Sequence, residues 1–357
     1  MMLKYFSNEF DWLMIKRDAT KIIDEEVKTN AFLSGKQCKQ FVKNLSYFIG
    51  CKYVLLTKSG TQALEIALKA YGIGKGDKVI TTPLTFIATV SAIKSVGAEP
   101  VFVDVKKDTW NIDENKIEEQ IDDNVKAIMN VDIFGNPCNY DKLLEISKKY
   151  NIKLISDSCQ SLTSEYNGKK IGNIADVTCF SFYPTKPFGG FGEGGAISTN
   201  DIVFFEIAKR LLDHGSENND TVCVGTNGAF DMLQGVYLNV KMKYINDVLR
   251  KRNEVFDIYK QMKNVVFQLQ EKNAVSAWCR IQAYVDNEYN MNLIKDLFET
   301  DDLYSKDICD NTMYQHLRKL YPISKDIVSH TISLPIYNYI NKSELKKTIE
   351  VYNSKAV

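Results

Sequence analysis

From Tyr53 onward, short runs of β-branched and aromatic residues alternate with longer stretches whose apolar positions recur at helical spacing. KYVLLT predicts a strand, Ser59-Gly60-Thr61 a turn, and the following stretch a helix with Leu64, Ile66, Ala67, Leu68 and Ala70 apolar. DKVITT then reads as a strand and PLTFIATVSAIKSVG as a helix. PVFVDV, VKAIMNV and IKLISD read as three more strands, with helices at about 113–121 and 141–150 between them. VTCFSFY and AIST are two further strands, separated by a loop of prolines and glycines. Such alternation predicts an α/β domain with a largely parallel sheet. Ahead of it, residues 1 to about 50 read as amphipathic helix with an extended break at 30–35. After it come a helix at about 201–212, a loop rich in Asn, Asp and Gly at 218–228, and a long helical segment at about 231–263, broken near Val240. The remainder reads as a smaller α+β unit: a strand VSAWCRIQAYV, helices near 291–298 and 312–320, a strand SLPIY and a closing helix near 342–352. The expected fold is therefore α/β, with a large domain over 1–250, its central mostly parallel sheet flanked by helices, and a smaller C-terminal α+β domain over 251–357.

Composition narrows the function without naming it. The chain has 357 residues, and that length argues for two domains rather than one. Lys+Arg and Asp+Glu both number 45, so no net charge draws the chain towards nucleic acid or an anionic membrane. No apolar run approaches the roughly 20 residues of a membrane helix, and the N-terminus lacks the apolar core of a signal peptide. Eight cysteines without CxxC pairs suit reduced thiols in a cytoplasm better than a disulfide frame. Three histidines far apart (His214, His316, His330) give no metal centre, so no metal is expected.

In open parallel sheets, ligands gather outside the carboxyl ends of the strands. Ser59-Gly60-Thr61, Thr85-Phe86, and Asp157 with Gln160 fall at such ends. Ser59-Gly60-Thr61 opens a helix, whose free N–H groups and dipole favour a phosphate; the same turn could equally be an ordinary Ser/Thr cap. Asp157 could be a loop carboxylate or cap, or could hold a heterocyclic nitrogen protonated. Phe86 could be core or a stacking platform. Lys186 stands between Pro184-Thr185 and Pro187, beside a glycine-dense loop too flexible for packing alone. Lysine in such a place is either a surface residue in a turn or the partner of a carbonyl in a Schiff base. Reading GGFGEGG as a dinucleotide loop fails, because that motif needs a helix after it and here a strand follows.

Taken in order, these segments resemble a pyridoxal-phosphate enzyme of the aspartate-aminotransferase fold, and more closely the sugar aminotransferases of the DegT/DnrJ/EryC1/StrS family. SGTQALEIAL, TPLTFIATVSAI, PVFVDVKKDTWNID, FGNP, SDSCQSLTSEYNGKKIGNIADVTCFSFYPTK, FGEGGAISTND, DHG, GTNGAFDMLQ and SLPIY carry the likeness, firm over about 25–250 and faint beyond. The resemblance implies that Lys186 carries the cofactor covalently and then moves the proton between substrate carbon and cofactor carbon. It implies that Asp157 keeps the pyridine nitrogen protonated, that Gln160 faces the ring hydroxyl, and that Phe86 stacks on the ring. Gly60, Thr61 and Ser181 would hold the phosphate. Asn227 would reach the cofactor phosphate of the neighbouring subunit, making a homodimer with composite sites. His214-Gly215 matches the family's HG loop.

The resemblance further implies a nucleotide-linked keto sugar as substrate, glutamate as amino donor, a cytoplasmic enzyme, and no nucleic-acid or membrane partner. Three departures stand out. Ala229 occupies the position where the family commonly has Arg, the histidine usual before the LYG-type turn is replaced around Asp132, and the C-terminal unit lacks the usual histidine- and proline-rich segment. The run Asn227-Gly228-Ala229-Phe230-Asp231 resembles the loop of enzymes that aminate C3 more than that of C4 enzymes, and a small Gly228 would leave room for a rotated sugar. Two other readings are a dehydratase of the same family, which Lys186 opposes because those enzymes tend to replace it by histidine, and a non-catalytic cofactor-binding regulator, which the complete catalytic set opposes.

Overall fold

The computed structural model describes residues 3–30 and 32–357; Ala31, inside the break expected at 30–35, lies outside them. Seven strands form the main sheet: β1 (Tyr53–Thr57), β2 (Lys78–Thr81), β3 (Glu99–Phe102), β4 (Val125–Val131), β5 (Lys153–Asp157), β6 (Val177–Ser181) and β7 (Gly195–Thr199). Their order is β1-β7-β6-β5-β4-β2-β3, and every pairing is parallel except those of β7, which runs against both β1 and β6.

Both faces of this sheet are covered, so its strands are apolar on both sides and alternate between two cores. Val79, Ala127, Met129, Ile155, Cys179 and Ile197 point to one face, beneath α3 (Gly60–Ala70), α4 (Ile87–Ser95) and α6 (Ile202–Leu212). On the other face Ile80, Ile128 and Leu154 pack beneath α5 (Tyr140–Tyr150). Further along that face, Val54, Phe180 and Ala196 meet α1 (Glu9–Val27), α2 (Lys36–Ile49) and α7 (Met232–Lys241). Each fully buried Val, Leu, Ile, Phe or Met side chain among these contributes about 1.5–3 kcal/mol.

α8 (Ile245–Tyr259) runs unbroken past position 250, and its second half joins a separate apolar cluster with Ile281, Leu334, Ile349 and Tyr352. There β8 (Val266–Phe267), β9 (Ile281–Tyr284) and β10 (Thr331–Leu334) pair antiparallel, with α9 (Glu288–Leu297) and α11 (Lys342–Lys355) against them.

Several expected elements differ in the structure. The helix expected at 113–121 is two 3-10 turns, Glu114–Lys116 and Glu118–Gln120; Ile117 is buried between them, and with Ile121 as its one other apolar residue the acidic run does not sustain an amphipathic face. The helix expected at 312–320 is a single 3-10 turn, Gln315–Leu317, and the real helix follows as α10 (Pro322–His330), started by Pro322 at its first turn. Trp278 takes φ of +44°, which cuts the expected strand VSAWCRIQAYV. Its first residue, Val275, belongs instead to a short strand with Ala274 that pairs with Glu165–Tyr166. Among the described residues, no helix is long and apolar enough to cross a membrane.

Candidate active site

Register places the site. Thr57 pairs with Gly195 and Gly195 with Ser181, while Asp157 pairs with Cys179 two residues earlier on β6. The ends of β1, β5 and β6 and the start of β7 therefore share one edge of the sheet. The loop joining β6 to β7 carries Lys186 across that edge.

At β1, Ser59 caps α3 by accepting a hydrogen bond from the Gln62 N–H at 3.1 Å. Gly60 follows, and a Cβ there would lie 2.6 Å from Cys159 Sγ and 2.9 Å from Ser181 Cβ. The first turn of α3 thus presses against the ends of β5 and β6, and only glycine permits that approach. Gly195 is confined in the same way, with a Cβ falling 2.5 Å from the Ser59 carbonyl oxygen. Thr61 opens the same turn, and the Ser181 hydroxyl accepts from the Tyr183 N–H at 3.2 Å.

Asp157 is buried, and its carboxylate accepts from the Thr89 hydroxyl at 2.7 Å and the Cys159 N–H at 3.2 Å. Thr89 is itself 2.6 Å from the Thr85 hydroxyl, so a chain of hydroxyls runs beneath the first turn of α4. Phe86 begins that turn three residues before Thr89 and stays 44% exposed, which leaves its ring outside the core. Burial pushes the Cys159 thiol's pKa well up; the Asp157 charge adds to the rise and the Lys186 cation opposes it, so both charges lie close to this sulfur. Among the described residues the Lys186 ammonium has no hydrogen-bond or salt-bridge partner. Its backbone N–H closes a turn onto the Tyr183 carbonyl at 2.9 Å.

Gln160 is held at both ends. Its Oε1 accepts from the Phe134 N–H at 2.8 Å and its Nε2 donates to the Tyr304 hydroxyl at 2.7 Å. Tyr304, in the C-terminal unit, is a partner that sequence reasoning missed. It is buried edge-on against Phe134, with the Arg280 guanidinium 5.2 Å from its ring, and burial raises its pKa despite that cation. One Nε2 hydrogen of Gln160 remains to face a ligand. Replacing Tyr304 by Phe strands a buried donor, so we expect a loss of about 1–3 kcal/mol in denaturant unfolding and a weaker grip on whatever Gln160 faces.

Asp132 lies behind this turn, fully buried at the end of β4. Its carboxylate accepts from Tyr140, Ser158 and Ser161 hydroxyls, each at 2.8 Å, and from the Cys138 N–H at 2.9 Å. Burial raises its pKa, and those four donors oppose the rise. The residue is thus a structural tie between β4 and the segment that carries Asp157 and Gln160, rather than a gap where a histidine should be.

Asn227 is exposed; its Oδ1 accepts from the Ala229 N–H at 3.1 Å and its carbonyl accepts from Gln62 Nε2 at 3.4 Å. Among the described residues no hydrogen bond joins its side chain to Lys186, Asp157 or Ser181. Ala229 opens onto a groove of about 530 Å³ with Phe32, Leu33, Lys58, Phe191 and Leu233. His214 and Gly215 both have positive φ, +56° and +77°, and a Cβ at Gly215 would meet the Cys223 carbonyl oxygen at 1.8 Å. At Gly228 a Cβ would lie 2.5 Å from Leu212 Cδ2, so packing against α6 accounts for its small size. The space expected above Gly228 for a rotated sugar is not needed to explain it.

An amine-bearing side chain, a buried carboxylate, a free helix N-terminus with a glycine approach and an exposed aromatic ring therefore face one sheet edge. That donor set fits pyridoxal phosphate, with a phosphate for the helix turn, a pyridine nitrogen for Asp157 and an aldehyde for Lys186. Comparison with known proteins agrees. The DegT/DnrJ/EryC1/StrS aminotransferase family pattern matches residues 14–352, and the chain belongs to that family. It is 32% identical, over 95% of each chain, to the dTDP-3-amino-3,6-dideoxy-alpha-D-galactopyranose transaminase of Aneurinibacillus thermoaerophilus. A DegT DnrJ EryC1 StrS aminotransferase from Brucella abortus superposes with a TM-score of 0.92 at 27% identity, covering 99% of both chains. The ntda protein of Bacillus subtilis with bound cofactor pmp superposes with a TM-score of 0.87 at 26% identity, covering 99% of this chain and 86% of that one.

Proposed function

We propose that this protein is a pyridoxal-phosphate-dependent aminotransferase that converts a keto group of a nucleotide-linked deoxy sugar into an amine. The observation that carries the proposal is the convergence of Lys186, Asp157 and the Gly60–Ser181 contact on one sheet edge, in a chain of this family. Bound there, the cofactor supplies the electron sink for charge developing on the substrate carbon. The protein's part is positional and protic. Lys186 Nζ takes and returns the proton at the substrate carbon. Asp157, aimed by Thr89, keeps a proton on the ring nitrogen, and Gln160, aimed by Tyr304, faces the ring oxygen. The N–H groups at Gly60 and Thr61, with the Ser181 hydroxyl, bind phosphate, while Phe86 covers one face of the ring and excludes water.

The same reading includes a homodimer. Asn227, which forms no hydrogen bond with Lys186, Asp157 or Ser181 of its own chain, reaches the phosphate bound by a second copy, and exposed Phe32, Leu33, Phe191 and Leu233 beside Ala229 are covered by that copy. Mixing Lys186→Ala with Asn227→Ala subunits should then restore activity that neither has alone, because each hybrid holds one site with both residues intact. Failure despite demonstrated subunit exchange, or an active monomer, contradicts the dimer. Division of labour near residue 250 belongs to the proposal too: residues 1–250 hold the cofactor, and 251–357 help shape the substrate side through Tyr304.

Glutamate is the proposed amino donor, C3 of the sugar the proposed position, and cytoplasmic amino-sugar synthesis for surface polysaccharide or lipopolysaccharide O-antigen the proposed setting. The loop Asn227-Gly228-Ala229-Phe230-Asp231 and a relative named for a 3-amino sugar support C3. The stake is geometric, because the reacting carbonyl must lie about 3 Å from the cofactor amine, and moving the ketone by one carbon requires a rotated sugar. The experiment is turnover of 3-keto and 4-keto nucleotide sugars with glutamate, with the new amine located by NMR. Amination at C4 alone overturns the C3 assignment but keeps the enzyme class. Turnover of simple keto acids with no nucleotide sugar overturns the substrate class.

A further inference from the structure

The loop that carries Lys186 is rich in glycine, yet the structure pins it along its length. Phe182 N–H bonds to the Gly194 carbonyl at 2.8 Å and Gly190 N–H to the Phe182 carbonyl at 2.7 Å, so the loop closes on itself. A Cβ at Gly189 would lie 2.3 Å from the Pro184 carbonyl oxygen, so the turn around Lys186 is drawn tight. Three carbonyls around the lysine then accept from side chains of distant elements. Asn8 Nδ2, at the start of α1, donates to the Pro184 carbonyl at 3.0 Å. Asn338 Nδ2, just after β10, donates to the Pro187 carbonyl at 3.4 Å, and Lys241 Nζ, at the end of α7, donates to the Gly189 carbonyl at 3.0 Å.

The two latter donors belong to one buried polar network. Lys241 is 3% exposed and pairs with Asp11 of α1 at 3.5 Å, its ammonium flanked by the Phe188 and Tyr237 rings. Asn338 Nδ2 also reaches the two Asp11 oxygens, at 3.4 and 3.3 Å. On its other side, Asn338 Oδ1 accepts from Arg252 Nη1 at 3.0 Å. Arg252 is 2% exposed; its Nε donates to the carbonyls of Ala277 and Trp278 and its Nη2 to that of Cys279, at 3.0 to 3.2 Å. A guanidinium only donates, so Arg252 fixes which end of the Asn338 amide faces it. The NH₂ end is thereby forced towards Asp11 and the Pro187 carbonyl.

We propose that Asn338 and Lys241, oriented by Arg252 and Asp11, are positioning residues for Lys186. They hold the backbone immediately after the lysine and so set where its amine meets the cofactor carbon and the substrate proton. The inference rests on the function proposed above, in which Lys186 does the chemistry. A glycine loop left to itself would spread the amine over several positions, and a misplacement of about 1 Å can cost on the order of a hundredfold in rate.

The test uses the full chain reconstituted with pyridoxal phosphate and compares two variants with the unmodified protein. Asn338→Asp combined with Asp11→Asn keeps the acceptor that Arg252 needs, removes the donor to the Pro187 carbonyl and avoids setting two buried carboxylates against each other. Lys241→Met removes the donor to the Gly189 carbonyl and leaves the buried Asp11 carboxylate balanced by the Arg252 guanidinium across Asn338. For each variant, kcat and KM for the amino donor, the pH midpoint of the cofactor absorbance change and Tm are measured. We expect kcat to fall by about tenfold or more with little change in KM, and the spectral midpoint to move, in protein that remains folded. If both variants keep kcat within twofold and leave the spectral midpoint in place, the assignment is overturned. A fall in kcat matched by the unfolded fraction, or two variants too unstable to isolate, makes the network a structural support and also overturns it. Borohydride labelling of the unmodified protein separates the two claims: absence of label on Lys186 defeats the proposed function, whereas label on Lys186 with unaltered variants defeats only this inference.

Discussion

Lys186→Ala should give a folded protein with no measurable transamination. Folding survives because the lysine side chain is half-exposed, forms no bond to the rest of the described chain, and leaves its backbone turn onto Tyr183 intact. A change of that kind typically moves stability by no more than about 0.5 kcal/mol. Activity is another matter, since removing a positioned acid/base group costs about 10²–10⁴-fold on that role alone. In the proposed function the same amine also forms the covalent link, so the loss should exceed that range. Turnover assayed beside a thermal melt checks both halves. An active, stable Lys186→Ala protein would remove the basis of the proposed chemistry.

Asp157→Asn should produce the second largest loss, and by electrostatics rather than shape. The amide is nearly isosteric with the carboxylate, and the local hydrogen bonds can rearrange around it. Its carbonyl can still accept from the Cys159 N–H, and Thr89 can turn to accept from the amide because the Thr85 hydroxyl 2.6 Å away can reverse. What disappears is the negative charge that, in the proposed function, faces the protonated ring nitrogen. Breaking a buried ion pair by removing one partner costs about 3–5 kcal/mol, or roughly two to four orders of magnitude at 1.36 kcal/mol per tenfold. Turnover and cofactor retention should fall together, with the cofactor absorbance shifted and Tm of the cofactor-free protein nearly unchanged. Full activity in Asp157→Asn would mean that the ring nitrogen needs no partner here.

The parts of the site legible in the sequence are those with a local signature. Lys186 stands between prolines, Ser59-Gly60-Thr61 opens a helix after a strand, and Asp157 ends an apolar run, so each could be singled out from its immediate neighbours. The parts that were not legible are contacts between segments far apart in the chain. Thr89 beneath Asp157 lies on the inner side of an ordinary apolar helix, and nothing in IATVSAI marks its hydroxyl as the one that meets a carboxylate. Tyr304 sits in DLYSKD, a stretch of no clear period, and meets Gln160 only because the C-terminal unit folds back over β4 and β5. The glycine loop was read as flexible because glycine is permissive in isolation; its restraint comes from Asn8, Lys241 and Asn338, none of which has a local reason to be noticed. Asp132 looked like a missing histidine until Tyr140, Ser158 and Ser161 came together around it. Strands whose faces alternate between two cores were placed well, whereas weakly periodic stretches near 113–121 and 312–320 were not. Pattern reading succeeds where burial repeats along the chain and fails where a single side chain decides the packing.

The account stands most directly on which amine carries the cofactor. The measurement is borohydride reduction of the protein loaded with pyridoxal phosphate, followed by peptide mapping of the fixed label by mass spectrometry. The account predicts that the visible absorbance band is lost on reduction and that the label lies on Lys186 alone. Label on another lysine, or a band that survives reduction with no label on the chain, would contradict it.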